Sequence, residues 1–222
     1  KNFGYARKAV PVLGLSRWDV LEDKSTKGSP VILLMPTWRQ WLEGVDGNIF
    51  LESDYYQAYS ELIQNKELID LLERANAKVK FFIHPKLSER LRHFASQSSS
   101  IELIEMGSRP MNEIIMECSA CITDYSSVAW DVLYQEKPVV YFQFDQERYL
   151  DEVGSYIDLN TELPGPVCKD TSEVVQAISD LIANDFTLSP EDVEKTNDWY
   201  AFKDTNNRKR TFDFLQERYP FD

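Results

Sequence analysis

The feature that most constrains this chain is a junction: the apolar stretch Ala120-Cys121-Ile122-Thr123 runs without a break into Asp124-Tyr125-Ser126-Ser127 and then into the helical pattern of residues 128–134. An apolar run with no polar alternation suits a strand covered on both faces, and a strand that turns at once into a helix is the unit from which open parallel sheets are built. Such sheets place ligands outside the carboxyl ends of their strands, where the free N–H groups of the next helix attract phosphate. The junction is therefore a natural anion site, with two serine hydroxyls as donors. The same residue types also cap ordinary helices, so the local reading leaves both a ligand loop and a capped turn open.

The rest of the chain repeats this unit. Val31-Ile32-Leu33-Leu34-Met35 is an uninterrupted apolar strand that ends at Pro36-Thr37-Trp38-Arg39, and Lys78-Val79-Lys80-Phe81-Phe82-Ile83 is a second strand ended by His84-Pro85. If the two run parallel, Thr37, Arg39 and His84 share one rim. Residues 101–105 and 139–142 read as further strands. Helical spacing marks residues 55–75, with a possible break near Asn65, and residues 86–95, 110–118 and 172–183. Residues 9–13 read as a short extended piece, 40–54 as a long loop, 164–167 as a turn, and the tail after Ser189 as one more helical region. The expected organisation is a lead-in over residues 1–30, an α/β doubly wound, mostly parallel sheet over 31–188, and a helical tail over 189–222.

Composition narrows the class. The chain has 222 residues, 43% of them hydrophobic, enough for one large α/β domain or two small ones. With 37 acidic against 24 basic residues and a net charge of -13, a general nucleic-acid scaffold is disfavoured, although one local anion pocket is not. The three cysteines read as core thiols of a reducing compartment, and with only two histidines they make a poor zinc site. No metal or cofactor is expected. No stretch is long and apolar enough to span a bilayer and no signal peptide is present; since the chain opens at Lys1, this says little about a longer polypeptide.

Several of these segments together resemble the CDP-glycerol glycerophosphotransferase family, the teichoic-acid primases and polymerases. They are Gly14-Leu15-Ser16-Arg17-Trp18-Asp19, Pro36-Thr37-Trp38-Arg39, His84-Pro85, Ile122-Thr123-Asp124-Tyr125-Ser126-Ser127 and Pro164-Gly165-Pro166. The resemblance spans residues 10–180 and rests above all on the Thr-Asp-Tyr-Ser-Ser run. It implies the carboxyl-terminal, donor-binding half of a GT-B architecture with a Rossmann-like fold. The activity implied is transfer of glycerol phosphate or ribitol phosphate from a CDP-activated donor to an acceptor hydroxyl, releasing CMP, in cell-envelope or capsular polymer synthesis. It also implies a cytoplasmic enzyme, peripheral on the inner face of the bacterial membrane, a lipid-linked or saccharide acceptor, and an amino-terminal acceptor domain preceding this half.

Carried onto this sequence, the resemblance makes His84 the catalytic candidate, as proton donor to the leaving phosphate or as a hydrogen-bonding clamp. Ser126 and Ser127 would hold the diphosphate, with Thr37, Arg39, Thr123, Asp124, Asp131 and Glu113 completing the donor set. The chain departs from the family pattern at Ser16, where Pro is common, at Trp18, where a smaller aromatic is usual, and at Val153, where Arg is frequent. It has no second His-Gly motif. Two other classes stay open: a GT-B glycosyltransferase using a nucleotide sugar, and a noncatalytic nucleotide-binding module. An NAD-linked enzyme is disfavoured by the lack of a Gly-x-Gly-x-x-Gly fingerprint.

Overall fold

A computed structural model describes residues 4–83, 85–105 and 107–219. Six strands form one sheet among these residues: β1 (Val31–Leu34), β2 (Lys78–Phe82), β3 (Ile101–Ile104), β4 (Ala120–Thr123), β5 (Val139–Phe142) and β6 (Val167–Cys168). Every pairing is parallel, in the order β3-β2-β1-β4-β5-β6. The chain thus winds outward from β1 through β2 to β3, then returns to the other side of β1 and winds outward again. The reversal leaves a crevice between the carboxyl ends of β1 and β4, which is where open sheets of this kind bind ligands.

Nine α-helices among the described residues connect or flank these strands: α1 (Gly47–Leu51), α2 (Asp54–Gln64), α3 (Lys66–Arg74), α4 (Met111–Glu117), α5 (Val128–Leu133), α6 (Gln146–Glu152), α7 (Thr171–Ala183), α8 (Pro190–Trp199) and α9 (Asn207–Arg218). Side chains alternate across a strand, so the two sheet faces collect separate cores. Ile32, Leu34, Val79, Phe81, Val140 and Phe142 face α2, α3 and α7, where Tyr59, Leu62, Leu72, Val174 and Ile178 meet them. Leu33, Phe82, Cys121, Val139 and Tyr141 face the side of α4 and α5, with Ile114, Ile115, Val132 and Leu133. All four residues of β4 and of β5 are buried, as a strand covered on both faces requires. Cys118, Cys121 and Cys168 are buried and outside any disulfide, as core thiols should be.

The expected elements recur with local differences. Residues 55–75 form two helices because Asn65 serves both ends: its N–H donates to the Leu62 carbonyl, and its side chain accepts from the Leu68 N–H. The loop at 40–54 contains a 3-10 turn at Gln40–Leu42 and the short α1, capped by Asp46. Residues 86–95 wind as a 3-10 segment, Pro85–His93, rather than an α-helix. Residues 9–13 do not form a strand; a 3-10 turn at Arg7–Ala9 leads into irregular, largely exposed chain that pairs with no strand of the sheet. The tail makes two helices, α8 and α9, and residues 164–167 run straight into β6. In that turn Gly165 has φ of +129°, and a Cβ there would lie 2.1 Å from the Val139 carbonyl oxygen, so only glycine fits.

Lead-in and tail are laced together on the α5 side. The lead-in winds as a 3-10 segment, Ser16–Val20, in which Trp18 stacks on Tyr134 at 4.5 Å and meets Tyr200 edge-on at 5.1 Å. The Asp19 carboxylate accepts from the backbone N–H groups of Asn207 (2.9 Å) and Arg208 (2.7 Å) and from Asn207 Nδ2 (2.7 Å), capping α9 from outside the helix. The approach is close: a Cβ on Gly14, itself at φ +78°, would lie 1.7 Å from Asn207 Oδ1.

Candidate active site

Asp124 fastens the two strand ends at the crevice. Its Oδ1 accepts from the Thr37 N–H at 2.8 Å and from the Tyr125 N–H at 2.6 Å; its Oδ2 accepts from the Tyr59 hydroxyl at 3.1 Å and pairs with Arg39 Nη1 at 2.8 Å. Two further bonds tighten the same seam, Thr123 Oγ1 donating to the Met35 carbonyl at 2.6 Å and Gln143 Nε2 donating to the Asp124 carbonyl at 2.9 Å. A carboxylate sealed from water is tolerated only when it is paired and fully hydrogen-bonded, and this one is both.

Arg39, expected as a phosphate clamp, is instead sequestered. Its side chain is 0% exposed and grips Asp145 with two parallel bonds, Nε to Oδ2 at 2.7 Å and Nη2 to Oδ1 at 3.0 Å. Nη1 also donates to the Thr37 carbonyl at 2.7 Å. Burial works against its charge, but Asp124 and Asp145 outweigh that and hold the guanidinium charged. Burial, and then the same carboxylates, push the Tyr59 and Tyr125 phenols upward, so both stay neutral donors. The Tyr125 hydroxyl donates to Asp145 Oδ1 at 3.0 Å, and its ring stacks on Tyr149 at 3.6 Å. This buried network fixes the backbone that leads into the serines.

Beside it opens a cleft of about 1010 Å³. Tyr125, Ser126 and Ser127 form one wall, Arg17 and Trp18 of the lead-in a second, and Trp130, Tyr149, Tyr156, Trp199 and Tyr200 an aromatic surround. Ser127 is exposed and Ser126 partly so; Ser126 Oγ accepts the Val128 N–H at 3.3 Å. The amides of Ser126 and Ser127 have no protein acceptor among the described residues. The charge of Asp124, which also borders the cleft, is compensated from behind by Arg39.

Of the residues expected at the site, Ser126, Ser127 and Asp124 border this cleft. Thr123 is buried in the seam, and Thr37 donates its N–H to Asp124 while its own hydroxyl is sealed without a partner among the described residues. Asp131 lies behind the wall on α5, accepting from Arg17 Nε at 2.8 Å and Trp18 Nε1 at 2.7 Å. Glu113 is not among the cleft residues; it pairs with Arg109 at 3.2 Å on α4, beside Glu117. His84, the catalytic candidate, lies outside the described residues. Sequence reasoning weighed Tyr125 and Trp130 as nucleotide contacts, with core packing preferred, and missed Asp145 and the rest of the aromatic wall, Tyr149, Tyr156, Trp199 and Tyr200. The acidic, aromatic character of residues 145–154 was the available signal, but nothing in it points to Arg39 more than a hundred positions away.

Comparison with known proteins bears on this arrangement. The model of the family described as CDP-Glycerol:Poly(glycerophosphate) glycerophosphotransferase matches residues 1–217. The minor teichoic acid biosynthesis protein GgaB of Bacillus subtilis is 28% identical over 97% of this chain and 24% of its own length. A teichoic acid poly(glycerol phosphate) polymerase of the same organism is 32% identical over 78% of the chain and 21% of its length. The chain therefore spans about a quarter of the length of these curated relatives. Among solved structures, the wall teichoic acid polymerase TagF superposes with a TM-score of 0.67 at 19% identity, covering 97% of this chain and 53% of TagF. The Staphylococcus aureus MnaA–UDP structure follows at 0.57 and 16%, covering 98% and 56%. At these identities the two structures establish a shared fold.

Proposed function

The chain belongs to the CDP-glycerol:poly(glycerophosphate) glycerophosphotransferase family, and from that premise we propose that it is the donor-binding part of a transferase of polyol phosphate. The donor is a CDP-polyol, glycerol or ribitol, seated in the cleft with its diphosphate against Ser126 and Ser127. The observation that carries this reading is the placement of two amides with no protein acceptor among the described residues, and an exposed serine hydroxyl, at the carboxyl rim of β4, at the sheet's point of reversal. Oxyanions are held by such preorganised donors. Stacked aromatic side chains around the cleft suit a pyrimidine base and ribose.

In the reaction, an acceptor hydroxyl oxygen attacks the phosphorus that carries the polyol. A new P–O ester bond forms, and the bridging P–O bond breaks with its electron pair leaving on CMP. The hydroxyl proton departs to a base. His84, following β2 in the chain, is proposed to protonate or clamp the departing phosphate. Thr37, Arg39, Thr123, Asp124 and Asp131 act on the donor by holding the loop that meets it. The acceptor, a lipid-linked or saccharide polymer, and an amino-terminal acceptor domain complete the enzyme, working from the cytoplasmic face of the membrane in teichoic-acid-type synthesis. No helix among the described residues is long and apolar enough to cross a membrane.

Calorimetric titration with CDP-glycerol, CDP-ribitol and UDP-N-acetylglucosamine, with CMP as control, tests the proposal. Selective binding of a CDP-polyol supports it. Preference for the UDP-sugar would move the chain to the glycosyltransferases that share the fold.

A further inference from the structure

We propose that Arg17, in the lead-in, is the cation that receives the donor's diphosphate; this inference rests on the donor-site reading of the cleft. A diphosphate brought to a chain of net charge -13 needs a local positive partner. Arg39 is excluded by its burial, with its guanidinium committed to Asp124 and Asp145. Among the described residues that border the cleft, Arg17 is the one basic side chain.

Its geometry suits the task. Arg17 Nε donates to Asp131 Oδ1 at 2.8 Å, and the same oxygen accepts from Trp18 Nε1 at 2.7 Å. The Asp131 side chain is only 12% exposed, so the anchor is fixed, whereas that of Arg17 is 52% exposed. Neither Nη atom has a protein acceptor among the described residues. A planar guanidinium held at Nε presents its remaining N–H groups in one orientation, which is the fork that phosphate oxygens accept.

The anchor also sets the position. Asp131 sits on α5, the helix that Ser127 leads into, so the arginine is held to the element that carries the serines. Asp19, in the same 3-10 segment as Arg17, is bonded to the start of α9, and Trp18 is stacked on Tyr134; the lead-in is therefore held from both sides. A guanidinium placed here attracts the bound diphosphate and stabilises the charge that grows on the departing CMP phosphate.

The simpler assignment is that Arg17 only ties the lead-in to α5. Calorimetry on the wild-type protein, Arg17→Gln and Arg17→Lys separates the two, reading the Kd for CDP-glycerol at several salt concentrations together with the thermal unfolding midpoint. The expected result is a Kd raised about tenfold or more in Arg17→Gln, a flatter salt dependence, and an unchanged midpoint, with Arg17→Lys intermediate because charge returns without the fork. An unchanged Kd in Arg17→Gln overturns the assignment and leaves the donor site standing. So does a weakened Kd that keeps the wild-type salt dependence and tracks a fall in midpoint. Should the wild-type protein bind no CDP-glycerol, the donor-site reading itself falls and Arg17 falls with it.

Discussion

Arg39 shows how a residue readable as a ligand becomes part of the frame. Its type and its place after β1 pointed to phosphate, but Asp124 and Asp145 reach it first and exclude water around all three groups. Removing the guanidinium leaves two buried carboxylates uncompensated. Arg39→Ala is therefore expected to destabilise the protein by about 3–5 kcal/mol in urea titration, and Arg39→Lys by less, since an ammonium cannot form the two parallel bonds to Asp145. Ser127 is the opposite case. It is exposed and its hydroxyl has no hydrogen-bond partner among the described residues, so Ser127→Ala should leave the unfolding midpoint nearly unchanged and weaken CDP-glycerol binding by about 1–3 kcal/mol in calorimetry. His84→Ala should cut donor turnover far more than it lowers stability; equal turnover in a folded variant would remove its catalytic role. The hydroxyls of the Ser-Ser pair were legible because their types and setting are local. The pairing of Arg39 with Asp145 was not, because it is made between distant loops that only the folded sheet brings together.

At the scale of elements, the tail helix α9 depends on a cap it does not carry. Asn206 precedes it without a side-chain cap bond, and Asp19 of the lead-in supplies the acceptors instead. Burial acts to raise the Asp19 carboxyl pKa, but its bonds to Arg208 and Asn207 prevail and hold it below the usual carboxylate range. A depressed folded-state pKa contributes stability that is present above the unfolded value, about 3.9, and is lost as pH falls through the lower folded value. The protection of the α9 amides against exchange, relative to their intrinsic rates, should therefore fall on acidification below about pH 4, and Asp19→Asn should show lowered protection already at neutral pH with less further change in acid. The basic run beside this cap is engaged as well: Arg208 meets Asp19, Lys209 meets Asp213 and Arg210 meets Asp204. Element types were largely legible from apolar runs and helical spacing. The break at Asn65 was visible as a weak helical position, while β6, only two residues long, carried too little pattern to read.

For the whole molecule, the lead-in and the tail meet on the α5 side of the sheet, next to the cleft, so the ends of the described chain shape the site as much as its centre does. Removing residues 204–219 would take away the partners of Asp19 and Gly14; limited proteolysis should then cut faster within Ser16–Val20, the segment these contacts hold, and CDP-glycerol affinity should fall with it. The division into lead-in, sheet unit and tail is a sequence expectation, and the truncation tests whether these pieces act separately. Sequence by itself determined the parallel α/β class, the strands that carry the rim, the serine loop and the family, because apolar continuity, helical period and turn residues are local signals, as are the motifs. Tertiary structure alone decided which charged groups are frame and which are free. Arg39 holds Asp124 and Asp145 in the interior, whereas Arg17, paired to Asp131 through Nε, keeps a half-exposed guanidinium on the cleft that Ser126 and Ser127 also line. Burial and the reach of a partner distant in sequence settle the fate of a charge, and neither is written in its neighbours along the chain.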